Sequence, residues 1–121
     1  MIAHLEGRIL FRGSRFFIID VHGVGYKVAV SAETLQSLPG HAESCKFFTY
    51  LHVRENSLEL YGFATMAELE FFELLIGISG IGPKSALGIL SVAPLDSLKR
   101  AIGAGDITYL TKVSGIGKRI D

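Results

Sequence analysis

The feature that most narrows the possible folds is a change of period near residue 64. Before it, apolar residues sit in short β-branched and aromatic runs; after it they recur at helical spacing. A chain that switches once in this way is built as strands first and helices second. "RFFIIDVHGVGYKVAVS", punctuated by Gly23 and Gly25, reads as paired strands near 15–21 and 24–31, after a strand near 2–12. "AETLQSL" reads as a short helical turn stopped by Pro39-Gly40. "CKFFTYLHV" and "SLELYGF" are two further strands. They flank Arg54-Glu55-Asn56, a hairpin tip in which Asn56 is expected to tolerate left-handed backbone. Five short antiparallel strands and one small helix suit a β barrel of OB type over residues 1–63, though strand count alone fits other small barrels.

Residues 64–121 read as an all-α unit. "TMAELEFFELLIGI" places Met66, Leu69, Phe72 and Ile76 on one face, and Thr65 with Glu68 has capping-box spacing. "PKSALGILSV", "PLDSLKRAIGAG" and "DITYLTKV" are further short helices. Pro83 and Pro94 sit where two of them start, and Gly103 and Gly105 where one stops.

Composition removes several function classes. With 49% hydrophobic residues a core can be buried, yet no apolar run is long enough to cross a bilayer, so no membrane role is expected. The N-terminus lacks the basic-then-apolar pattern of a signal peptide. The single cysteine, Cys45, fits a reducing compartment. Histidines 4, 22, 41 and 52 are scattered without partners at ligand spacing, so neither metal nor cofactor is expected. Formal net charge is zero, but unevenly distributed. Residues 1–76 carry six basic and nine acidic side chains (−3); residues 77–121 carry six and three (+3). Affinity for phosphate, if present, belongs to the second unit.

One motif recurs there. "SGIG" stands at 79–82 and again at 114–117, followed by Lys84 and Ser85 in the first copy and by Lys118 and Arg119 in the second. "GISGIGPKS" comes close to a nucleotide-binding P-loop, but Pro83 occupies the lysine position and the segment before it has helical, not strand, period. The alternative is helix–hairpin–helix. Gly-hydrophobic-Gly permits a tight turn with positive φ, Ile81 and Ile116 point inward, and freed N–H groups face out at the next helix start. Such a device binds backbone phosphate and not base identity. A plainer reading makes both copies only caps and turns; their recurrence with a cation at similar offset favours phosphate.

"MIAHLEGRI", "DVHGVGYKV", "VRENSLELYGF", "ELLIGISGIGPKSALGIL" and "VSGIGKR", in this order over essentially the whole chain, resemble the RuvA family of Holliday-junction-binding proteins. The resemblance implies an OB-like barrel, then two helix–hairpin–helix motifs, in a homotetramer that holds a DNA four-way junction open and flat. It implies a non-catalytic subunit acting in recombination, DNA repair and the SOS response in the bacterial cytoplasm. Its motor partner would be the hexameric AAA+ ATPase RuvB. Ser79, Gly80, Gly82, Lys84 and Ser85 match the first phosphate-binding hairpin, and Ser114, Gly115, Gly117, Lys118 and Arg119 the second. Arg54, Glu55 and Asn56 match the family's acidic pin at the junction centre, where a carboxylate repels phosphates. Asn56 departs from the expected second acid, leaving one pin carboxylate per subunit. Family members continue past a position equivalent to Asp121 through a further helix, a linker and a three-helix, motor-binding domain. A fragment without motor binding is therefore expected.

Two other readings compete. A generic OB plus helix–hairpin–helix module of another repair protein would bind single strands or duplex, stacking bases on Phe47, Phe48 or Tyr50, if these are not core. A small phosphohydrolase would use "GISGIGPKS" on ATP.

Overall fold

Strands form where β-branched and aromatic residues alternate with polar ones: β1 (His4–Arg12), β2 (Phe16–Val21), β3 (Val24–Ala29), β4 (Ser44–Val53) and β5 (Leu58–Phe63). The computed structural model describes residues 1–38, 43–92 and 95–103. The chain divides into two units, Met1–Leu69 and Glu70–Asp121.

In the first unit the strands close into a barrel in the order β1-β2-β3-β5-β4. β1 makes closure possible because it serves two neighbours. Its first half pairs with β4, from His4↔Phe48 to Arg8↔Ser44, and its second half with β2, from Arg8↔Asp20 to Arg12↔Phe17. Where it passes from one to the other, a Cβ on Gly7 would lie 2.0 Å from the Asp20 carbonyl oxygen, so only glycine fits. The expectation of an all-antiparallel sheet needs correction: β3 and β5 run parallel, through Val28↔Leu60 and Ala29↔Tyr61. A hairpin cannot join parallel strands. Here α1 (Ala32–Gln36) and β4 intervene and bring the chain back for a second pass in the same direction.

The inward residues make the core: Leu5, Ile9, Phe17, Ile19, Val28, Val30, Leu38 and Phe47. Phe17 is fully buried and its ring lies 4.7 Å from that of Phe47. Burial of one such side chain stabilises the fold by about 1.5–3 kcal/mol.

The β2–β3 connection is a two-residue turn at His22 (φ 51) and Gly23 (φ 89), the left-handed pair that matches strand twist. The Asp20 carboxylate accepts the Gly23 N–H at 2.9 Å. Left-handed backbone therefore falls on His22, and the expectation for Asn56 is corrected, since Asn56 has no positive φ. The connection carrying Asn56 is longer, with Arg54 N–H donating to Ser57 O at 2.9 Å, and it does not require positive φ.

α1 starts at its cap Ser31, whose hydroxyl accepts the Thr34 N–H at 3.2 Å. α2 (Met66–Ile76) starts after Thr65. The Thr65 hydroxyl accepts the Glu68 N–H at 3.2 Å and lies 3.1 Å from the Glu68 carboxylate, to which it donates. This is half of a capping box: the carboxylate takes the hydroxyl proton and not the Thr65 N–H. The buried stripe of α2 is Leu69, Phe71, Phe72 and Leu75. Met66, expected on it, is 47% exposed, because it occupies the first helical position, a turn ahead of the stripe. α3 (Pro83–Val92) and α4 (Leu95–Gly103) follow. The helix expected at "DITYLTKV" lies outside the described residues. No described helix is long and apolar enough to cross a membrane.

Candidate nucleic-acid interface

α2 ends in tightened turns, with Gly77 N–H donating to Leu74 O at 3.2 Å and Ile78 N–H to Leu75 O at 3.0 Å. Gly80 then takes φ 89, a value that would strain any residue with a Cβ. The reversal lets Ile81 N–H reach Ile78 O at 3.1 Å and sends the Ile81 side chain inward, where it is 7% exposed. α3 begins at once: Pro83 is its first residue, and Ala86 N–H donates to Gly82 O at 2.9 Å. A proline at this position loses nothing, since a first-turn N–H has no intrahelical acceptor.

Ser79, Gly80, Gly82 and Lys84 are exposed and Ser85 is half-buried. The N–H groups of Gly80, Gly82 and Lys84 donate to no backbone carbonyl among the described residues. They stand at or just before the positive end of a ten-residue helix beside an exposed ammonium. Gly82 is informative. Its φ is not positive, and a Cβ there would meet nothing within 4 Å. Among the described residues, neither the backbone nor the packing requires glycine at that point. A bare Cα leaves room for close approach from outside. The expected second hairpin, Ser114, Gly115, Gly117, Lys118 and Arg119, lies outside the described residues.

In the first unit, Arg54, Glu55, Asn56 and Ser57 form the exposed tip between β4 and β5. The residue pattern did not reveal the pair beneath it. Val53 and Leu58 are register partners, 61% and 71% exposed. They continue the alternation of Leu51 and Leu60 past the point where core surrounds it, so the hairpin projects beyond the barrel interior. The overrun could be found only by knowing where the core ends. Core packing, the other use open to Phe47, Phe48 and Tyr50, holds for Phe47. Phe47 is buried, packed on Phe17, and Phe48 and Tyr50 are half-buried, with Phe48 edge-on to His4 and Tyr50 stacked on His52. Burial pushes the Cys45 thiol above its ordinary range. It does the same to the Tyr61 phenol, with the nearby Glu59 carboxylate adding to the effect. Among the described residues no group of His, Cys, Asp or Glu could hold a metal ion.

Comparison with known proteins gives these sites a context. Residues 1–62 match the family described as RuvA N terminal domain, and residues 72–120 match SAM-like Helix-hairpin-helix tandem. The chain is 44% identical over 119 residues to the Holliday junction branch migration complex subunit RuvA of Symbiobacterium thermophilum, covering 98% of this chain and 58% of that protein. Identity to the same-named protein of Herpetosiphon aurantiacus is 46% over 119 residues, covering 98% and 60%. For that of Azorhizobium caulinodans it is 47% over 120 residues, covering 99% and 58%. The chain thus spans less than two thirds of the length of these relatives. With more than half of its residues in the first domain match, on a closed five-stranded barrel followed by a Gly-Ile-Gly hairpin, this chain belongs to the RuvA family.

Proposed function

We propose that this chain is the DNA-binding part of a non-catalytic subunit that recognises four-way junctions through backbone phosphates and targets a motor to them. The observation that carries the reading is the 79–85 hairpin: three outward N–H groups at a helix start, an exposed Lys84, and a Gly82 that the fold itself does not need. In this reading residues 1–63 are the OB-like platform and 64–121 the tandem hairpin domain. Ser79, Gly80, Gly82, Lys84 and Ser85 hold one phosphate run, and Ser114, Gly115, Gly117, Lys118 and Arg119 a second.

The Arg54-Glu55-Asn56 tip is the pin at the junction centre. Its one carboxylate disfavours continuous duplex there and steers separated strands outward. Each hairpin alone binds weakly. A homotetramer offering two hairpins per chain gains affinity by multivalency. ATP hydrolysis belongs to a RuvB-type hexameric partner in the bacterial cytoplasm, engaged through a domain C-terminal to Asp121.

The test compares binding to a four-way junction and to linear duplex of equal length in one buffer. Preference for the junction is expected. Equal affinity for both would favour a generic phosphate-binding module. Because many donors are neutral N–H groups, the salt dependence should be shallower than one counterion per contacted phosphate; a full slope would remove that part of the reading.

A further inference from the structure

The outer face of β1, β2 and β3 carries an aromatic arrangement that neither the hairpin nor the tip uses. It originates in a bulge. Ile9 pairs with Ile19, but the next pair is Phe11 with Ile18, so Leu10 is an extra residue on β1. Ile9 faces the core and is 3% exposed. Two positions on, Phe11 would face the core as well if the strand were regular. The extra residue reverses the alternation, and Phe11 turns outward, 55% exposed.

Phe11 is the end of a row that crosses three strands, Phe11↔Ile18 and Ile18↔Lys27. The Phe16 ring lies beside it, with centroids 6.0 Å apart and planes at 31°. Phe16 is itself held in place. Its ring occupies the space a Cβ on Gly13 would need, 2.2 Å away, and the Lys27 ammonium stands 4.5 Å from its centroid. Gly13 N–H also donates to Phe16 O at 2.7 Å. The open ring of Phe11 therefore rests against a fixed one.

The charge nearest it in the chain is positive, and the first acids on either side are Glu6 and Asp20, the latter holding the Gly23 N–H. From Gly7 to Ile19 the chain carries Arg8, Arg12 and Arg15 and no acid. Arg12 is tied to Leu38 O at 2.9 Å, while Arg15 and Lys27 are exposed. An exposed ring whose neighbour carries a cation suits a polyanion with flat π faces. Bases stack on such rings without sequence preference while the cations take the phosphates.

We propose that Phe11, seated against Phe16 and Lys27, is a stacking site for an unpaired base of single-stranded DNA, with Lys27 and Arg15 taking the adjacent phosphates. The site is separate from the phosphate-binding hairpin and does not depend on that reading.

The test uses the full chain with a short oligothymidylate carrying one fluorescent adenine analogue, at low salt. Binding should quench the analogue in the wild type and in Phe11→Tyr. In Phe11→Ser the quench should disappear and the affinity fall about tenfold, the scale of one lost stacked base. Binding to a four-way junction should not change. Lys27→Gln should weaken single-strand binding, and it decides the matter if Phe11→Ser proves unstable. Three results would each overturn the proposal: no quench with the wild type, single-strand affinity unchanged in Phe11→Ser or Lys27→Gln, or a Phe11→Ser sedimentation coefficient that differs from wild type. The last would place Phe11 in a contact between copies of the chain.

Discussion

Two neighbouring glycines in one hairpin should respond in opposite ways to the same methyl group. Gly80 has φ 89, so Gly80→Ala forces a left-handed backbone on a residue with a Cβ. That costs about 1–2 kcal/mol, in a turn whose Ile81 N–H bond at 3.1 Å depends on the reversal. Gly82 has no positive φ and nothing within 4 Å of an added Cβ. Gly82→Ala should therefore leave stability unchanged or raise it by about 0.4–1 kcal/mol, because alanine restricts the unfolded chain more than glycine does. Affinity should follow a different order. If a phosphate is seated on the Gly82 and Lys84 N–H groups, a methyl at position 82 holds it off. One hydrogen bond to a charged group is worth about 1.5–3 kcal/mol, hence tenfold or more in Kd. The assays are a denaturant titration of each variant and fluorescence anisotropy on a labelled four-way junction. A Gly82→Ala chain that is fully stable but binds at least tenfold more weakly is expected. Wild-type affinity in that variant would refute phosphate contact at the hairpin. Wild-type stability in Gly80→Ala would refute the backbone argument.

Three further expectations concern the barrel. Gly7→Ala puts a methyl on the Asp20 carbonyl and should cost about 3 kcal/mol, read from the urea midpoint; an unchanged midpoint would mean that β1 can shift. His22→Asn should stabilise the β2–β3 turn by about 0.5 kcal/mol, since Asn adopts left-handed backbone more readily, and a lower midpoint would contradict this. The Cys45 thiol is pushed up by burial, so less thiolate is present at a given pH. Alkylation at pH 8 should then be slower in the folded protein than in urea, and equal rates would show that the thiol is not shielded.

The Gly-Ile-Gly hairpin was the most legible part of the candidate site, because its determinants are neighbours in the chain. Gly80 supplies the positive φ, Ile81 the inward anchor and Pro83 the helix start, and each acts within a few residues. The position of Gly82 was legible too, but not its meaning, since the empty space around it exists only after folding. The tip was found from Arg54-Glu55-Asn56, while its apolar base, Val53 and Leu58, has the pattern of ordinary strand.

What the sequence by itself determined is the local grammar: strands up to about residue 63, helices after it, and starts at Thr65 and Pro83 where a side chain or a missing N–H suits a first turn. Tertiary structure decided the rest. Closure required the parallel β3–β5 pair, a contact across α1 and β4 that no local pattern encodes. One extra residue at Leu10 moved Phe11 from the core side to the outer face, because strand alternation has a period of two and a single insertion inverts it. Residue preferences act over a few bonds; register and closure depend on which distant strand arrives opposite, and that is settled only when the barrel is complete.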